Sequence, residues 1–213
     1  MSFFTGEKCD RSPGAIQGNP LNGLTEKVCV QVKKVFDACI KQTRNDGAVI
    51  KLENYVPECP KQPLNFISCR STTPKGTVTN LVIDRLEDKP RQARVRCNVT
   101  MPMECIFVDA DGKEGKASTS ISVNEDCILY VPEPSVIPYQ FEAVVSAVAL
   151  DGCPEGEGAF KCNTCLTVIL KVVIETELLL PSYGYCHIPP CQEFTQEVCS
   201  GFFELPLYPD SKE

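Results

Sequence analysis

The sequence predicts a mainly β protein, an antiparallel β-sandwich or barrel-like domain with extended arms at its N and C termini. Three observations carry this. Every odd position of 93–101 is apolar and every even one polar, the period of a strand with one buried face. Positions 166, 168, 170, 172 and 174 are all apolar, a face that Thr176, Leu178 and Leu180 extend. Turn signals separate the apolar runs, and no strand–helix alternation of an α/β fold accompanies them.

Taken in order, residues 1–24 read as an arm, punctuated by Pro13, Gly14, Gly18, Pro20 and Gly23 and lacking apolar periodicity. The stretch "EKVCVQVKKVFDACIKQ" (26–42) reads two ways. Val28, Val32, Val35 and Cys39 fit a helical stripe, whereas Val28, Val30 and Val32 alternate and the β-branched content leans to a strand. From residue 76 the β signal is strong, and the alternation of 93–101 turns Cys97 towards a core. "MECIFV" runs into "DADGKEG", where Asp111-Gly112 signals a hairpin turn. "STSISV", "CILYV" and "YQFEAVVSAVAL" follow as short strands, separated by Asn-Glu-Asp and by prolines 132, 134 and 138. "LTVILKVVIETELLL" is long enough to run ~50 Å unless it bends, at ~3.3 Å per residue. The expected organisation is an N-terminal arm (1–24), a β-rich core (25–180) with room for two subdomains meeting near 70–90, and a cysteine-, proline- and aromatic-rich arm (181–213).

Length and composition suit an ordinary globular chain: 213 residues, 43% hydrophobic and 23% charged. The fourteen cysteines do not fit that picture, because a chain of this size does not need disulfides to compensate for a small core. "MSFFTGEKCDRSPGAIQG" has no basic n-region, apolar h-region or small-residue cleavage site, so no signal peptide is expected. No stretch suits a bilayer span, because the most apolar carries Lys171, Glu175 and Glu177. Cytosolic synthesis beside the cysteine load of an exported protein leaves three resolutions: metal, redox chemistry, or late exposure to oxidising conditions.

The formal net charge of −7 is unevenly placed: residues 1–100 carry sixteen Lys/Arg against ten Asp/Glu, and residues 101–213 five against eighteen. The densest basic stretch, "RLEDKPRQARVR", is interrupted by acids and lacks interleaved aromatics, so no nucleic-acid partner is expected. Complementary halves suit head-to-tail contacts between copies, and equally two solvated faces of one domain.

Cys162 and Cys165 of "CNTC", with Cys186, Cys191 and His187, form the zinc alternative, since a C-x₂-C pair supplies half of a tetrahedral set. Leu166, opening a strand, stands where a zinc knuckle commonly has glycine, and there is no second C-x₂-C. A thioredoxin-like reading fails for want of a helix after a strand. His187 is the chain's one histidine, and its neighbour Cys186 points to the other side of extended backbone, so no nucleophile–base pair is evident and no enzyme activity is expected. "DADGKE" has glycine at the fourth rather than the sixth position of a calcium loop and reads as a turn. "NVT" (98–100) is a glycosylation sequon inside an expected strand. No cofactor is implied.

What remains is covalent stapling. Core-facing cysteines such as Cys97 act as small hydrophobes. Cys9, Cys186, Cys191 and Cys199 lie in the arms, placed to reach other molecules, and are the candidates for intermolecular disulfides. Cys29, Cys39, Cys59, Cys69, Cys153, Cys162 and Cys165 are further disulfide candidates.

"VCVQVKKVFDACIKQ", with its "KVFDAC", resembles the opening of cysteine-rich clostridial spore-surface proteins. "RCNVTMPMECIFVDADG" and "ILYVPEPSVIPYQFEAVV" resemble the SPOCS-type β domain of spore coat proteins, the likeness covering roughly residues 26–205. The resemblance implies a structural protein of the exosporium or coat, made in the mother-cell cytosol and assembling with itself into a disulfide-cross-linked layer or fibre. Other spore-coat proteins are further partners, with no membrane insertion. It supplies no catalytic residues.

Overall fold

The computed structural model of the chain describes residue 16 and residues 18–186. Eight strands follow in order: β1 Glu26–Lys51, β2 Glu53–Val56, β3 Asn65–Ser71, β4 Lys75–Leu86, β5 Lys89–Val108, β6 Glu114–Tyr130, β7 Gln140–Pro154 and β8 Ala159–Ser182. They form one antiparallel sheet in the order β1-β8-β7-β3-β5-β6-β2, with β4 beside β5 and β7, and no helix is present among the described residues. The mainly β, antiparallel class matches the expectation from sequence. The two-way segment 26–42 lies in β1 as a strand.

Two compact units divide the chain: Lys33–Thr176, and a second made of the residues on either side of it. Within Lys33–Thr176 the alternation of β5 is carried through in full. Ala93, Val95, Cys97, Val99, Met101, Met103, Cys105 and Phe107 are all buried. They join Ala143 to Ala149 of β7 and Phe160 to Val172 of β8 in one core cluster. The core of this unit is built from side chains of its own strands. Each large side chain so buried contributes about 1.5–3 kcal/mol of transfer free energy.

β3 and β4 lie end to end between the β5–β6 and β7–β8 hairpins. β3 pairs Cys69 with Cys105 of β5 and with Ala149 of β7. β4 pairs Thr77 with Thr100 of β5, while Gly76 pairs with Ala143 of β7. Gly76 is required at this crossing, because a Cβ there would stand 2.6 Å from Val145 Cγ1 and 2.9 Å from Val99 Cγ1.

The strands are longer than the short ones expected. Asn124-Glu125-Asp126 does not break β6, which pairs with β5 without interruption from Gln92↔Tyr130 to Val108↔Glu114. Asn124 and Asp126 face outwards, and Arg94 Nε donates to Asp126 Oδ1 at 2.8 Å. Glu125 faces inwards and is met by Lys41 Nζ at 3.2 Å. Asp111-Gly112 does make the β5–β6 turn, with Gly112 at φ 79° and Asp109 Oδ1 accepting from the backbone N–H groups of Asp111 and Lys113 at 2.9 Å each.

In the other unit, Thr25 donates to the Ser182 carbonyl through its backbone N–H and its hydroxyl, and Tyr183 donates its hydroxyl to the Pro20 carbonyl. Leu178 and Leu180 continue the alternation of β8 but are exposed, so the apolar face read from the sequence is not covered to its end. The arms expected at 1–24 and 181–213 lie largely outside the described residues.

Candidate cross-linking cysteines

The cysteines sort by burial, and within β5 and β8 strand parity sets which face each one takes, because successive side chains point to opposite faces. Cys69 and Cys105 are register partners on β3 and β5, with Cα atoms 4.0 Å apart, and form a buried disulfide. Cys97 and Cys162 are buried thiols, while Cys39 and Cys127 are half-buried against the core. Cys29, Cys59, Cys153, Cys165 and Cys186 are exposed. Cys9, Cys191, Cys199 and His187 lie outside the described residues.

The C-x₂-C spacing does not make a zinc knuckle in this strand. Cys162 and Cys165 stand three apart in extended backbone, which puts the first in the core and the second on the outer face. Among the described residues no three Cys, His, Asp or Glu side chains converge to hold a metal ion. A shallow concavity of about 440 Å³ is lined by Lys89, Pro90, Arg91, Gln92 and Tyr130, a set with no nucleophile beside a base.

Reactivity follows the same division, since the thiolate is the reacting form. Burial pushes the Cys162 thiol up to about 11, and the nearby Asp151 carboxylate adds to the shift. Burial also raises Cys97, with Glu125 and Cys39 adding smaller effects. Cys127 is pushed up to about 12, first by burial and then by its hydrogen bond to Cys39. Burial therefore disfavours the thiolate at these three positions. By contrast, Cys165 lies on the outer face.

The complementary charges of the two halves meet within the chain. Lys33 pairs with Glu142, Lys41 with Glu125, Lys61 with Asp111, Arg85 with Glu133 and Arg94 with Asp126, each joining a cation of the first hundred residues to an acid of the remainder. Fewer of these charges are therefore left for contacts between copies.

Two cysteines of consequence escaped the candidate sets drawn from sequence, Cys105 and Cys127. Cys105 carries a signal: it continues the odd-numbered face from Cys97 through Met101 and Met103. Its pairing with Cys69 depends on a register shift between Phe66 and Ser68 that no local pattern announces. Cys127 is identified only by the approach of β1 in space.

The exosporium protein A of Clostridium sporogenes (strain ATCC 15579) is 26% identical to this chain over 237 aligned residues, which span 86% of this chain and 74% of that protein. No protein-family model matches the chain, and no solved structure matches it.

Proposed function

We propose that the chain is a structural protein of the bacterial spore surface, a non-catalytic subunit that assembles with copies of itself and is then fixed by disulfides between them. One observation carries this reading: the fold places one set of thiols in the core and sets another on its outside. Cys29, Cys59, Cys153 and Cys165 occupy exposed positions where oxidant and a neighbouring copy have access. The likeness to a protein named for the exosporium supports the location. The assignment of a SPOCS-type domain rests on the quoted stretches alone.

Assembly comes first and oxidation second, because a disulfide needs Cβ atoms within about 3.5–4.5 Å and so needs the copies already aligned. Each bond then adds about 2–4 kcal/mol and makes a reversible contact covalent. Repeated contacts that do not close generate a sheet or a fibre. Electron microscopy of the purified chain, reduced and then oxidised, tests this. Ordered open-ended assemblies are expected, resisting boiling in detergent and falling to monomer with reductant. A stable isolated monomer at high concentration under both conditions would end the proposal. Replacing Cys186, Cys191 and Cys199 together with serine measures how much of the covalent ladder the C-terminal segment carries.

A further inference from the structure

We propose that Cys39 and Cys127 are a second intramolecular disulfide site, one that sews β1 to β6 when the chain meets a low-molecular-weight disulfide. The edge of β6 away from β5 is only partly paired. The other edge pairs with β5 throughout, and β2 meets β6 only near Lys116 and Ser118. Over the rest of its length, the described contacts from β1 come through side chains. Asp37 Oδ2 accepts from the Tyr130 backbone N–H at 2.7 Å. Lys41 Nζ donates to the Asn124 carbonyl at 3.4 Å and pairs with Glu125 at 3.2 Å. Thr119, on β6, donates its hydroxyl to the Lys51 carbonyl at 2.7 Å. Phe36 packs against Tyr130 with ring centroids 6.4 Å apart.

Cys39 and Cys127 lie in the middle of this seam, between the Asp37–Tyr130 and Lys41–Asn124 contacts, close enough for their thiols to interact. Cys97 is the third thiol nearby, but the β5–β6 register pairs Cys127 with Val95 and Cys97 with Glu125. Cys97 and Cys127 are therefore diagonal neighbours, which stand about 7–8 Å apart, beyond the reach of a disulfide. Cys97 is also buried, whereas Cys39 and Cys127 are half-buried and open to a small oxidant. The register excludes Cys97 with Cys127, and access favours Cys39 and Cys127 over the buried Cys97.

The chemistry is thiol–disulfide exchange with a species such as oxidised glutathione. Cys39, as its thiolate, attacks first, forming a mixed disulfide and releasing one glutathione thiolate. Cys127 then gives up its proton and displaces the second glutathione from Cys39. Two protein thiols become one disulfide, one small disulfide becomes two thiols, and nothing else is consumed. The bond lies within one chain and does not depend on assembly.

The test uses the full chain at high dilution, reduced with dithiothreitol, freed of it, and exposed to oxidised glutathione. Remaining thiols are alkylated and the chain is digested without reduction for mass spectrometry. A peptide holding Cys39 joined to one holding Cys127, two hydrogens lighter than the free pair, is expected. Cys39 and Cys127 recovered alkylated or glutathionylated, or Cys127 joined to Cys97, would overturn the proposal. In thermal unfolding, oxidised wild type should exceed oxidised Cys39→Ala by about 5–15 °C, and most of that gap should vanish in dithiothreitol. Cys97→Ala should keep the oxidative rise. An equal midpoint for oxidised wild type and Cys39→Ala would also count against it, and where a variant does not fold the wild-type peptide map decides alone.

Discussion

The two edges of β6 are held by different means. Along one, seventeen consecutive residue pairs join it to β5, from Gln92↔Tyr130 to Val108↔Glu114. Along the other, β1 reaches it through single side chains: Asp37, Lys41, Phe36 and Cys39. The ladder is cooperative and repetitive, so it tolerates the loss of one outward side chain. The seam is a set of separate contacts, each specific to its residue. A ladder sets the architecture, and a seam is where chemistry can change its tightness.

The largest expected effects probe the core behind the ladder. Phe107→Ala empties a fully buried site packed edge-on against Tyr55, with centroids 6.0 Å apart, and should cost about 3–5 kcal/mol in urea unfolding. Phe36→Ala at the half-buried seam should cost less than half as much; an equal loss would show the seam to be as tightly built as the core. Gly76→Val should cost about 1–3 kcal/mol by forcing Val99 and Val145 apart, again read from the urea midpoint.

Smaller effects separate the seam's polar contacts. Asp37→Ala leaves the Tyr130 N–H without its acceptor and should cost about 1–3 kcal/mol, with faster hydrogen exchange at Tyr130 than at Leu129. Exchange unchanged at Tyr130 would mean the seam does not depend on this bond. On the outer face of the ladder, Arg94→Ala removes an exposed ion pair with Asp126 and should leave the unfolding midpoint nearly unchanged.

The turn that joins β5 to β6 gives a local effect that depends on pH. The backbone N–H of Lys113, then that of Asp111, holds the buried Asp109 carboxyl below its ordinary value. A carboxyl depressed in the folded state contributes stability fully present above its unfolded value, near 3.8. That contribution is lost as pH falls through the lower folded value. Acid should therefore loosen the turn below about pH 4, and Asp109→Asn should flatten that part of the stability profile. An unchanged profile would remove the carboxylate from the account.

What the sequence made legible follows the same division. The inward path of Cys97 is readable because a strand's period is local: Ala93, Val95, Val99 and Met101 announce it. The Asp111-Gly112 turn is readable because its chemistry lies within a few residues. Asn124-Glu125-Asp126 reads as a break because three polar residues in a row seldom cross a sheet. The side chain that meets Glu125 is Lys41, far away in sequence, and no local pattern shows it. Cys162 and Cys165 look like a chelating pair until the strand's parity sends them to opposite faces. Leu178 and Leu180 show the converse, an alternation that continues where burial does not.

The most direct test of the central claim, that outward thiols join copies while inward ones do not, uses chains of two isotopic compositions. Equal amounts of ¹⁴N- and ¹⁵N-labelled protein are mixed reduced, oxidised as assemblies, and digested without reduction. Disulfide-linked peptides of mixed labelling then report bonds between copies. The account expects mixed labelling at Cys29, Cys59, Cys153 or Cys165, or in the terminal segments that hold Cys9, Cys186, Cys191 and Cys199, with Cys69–Cys105 recovered in single-label form. Mixed-label bonds through Cys97 or Cys162, or no mixed-label bonds at all, would contradict it.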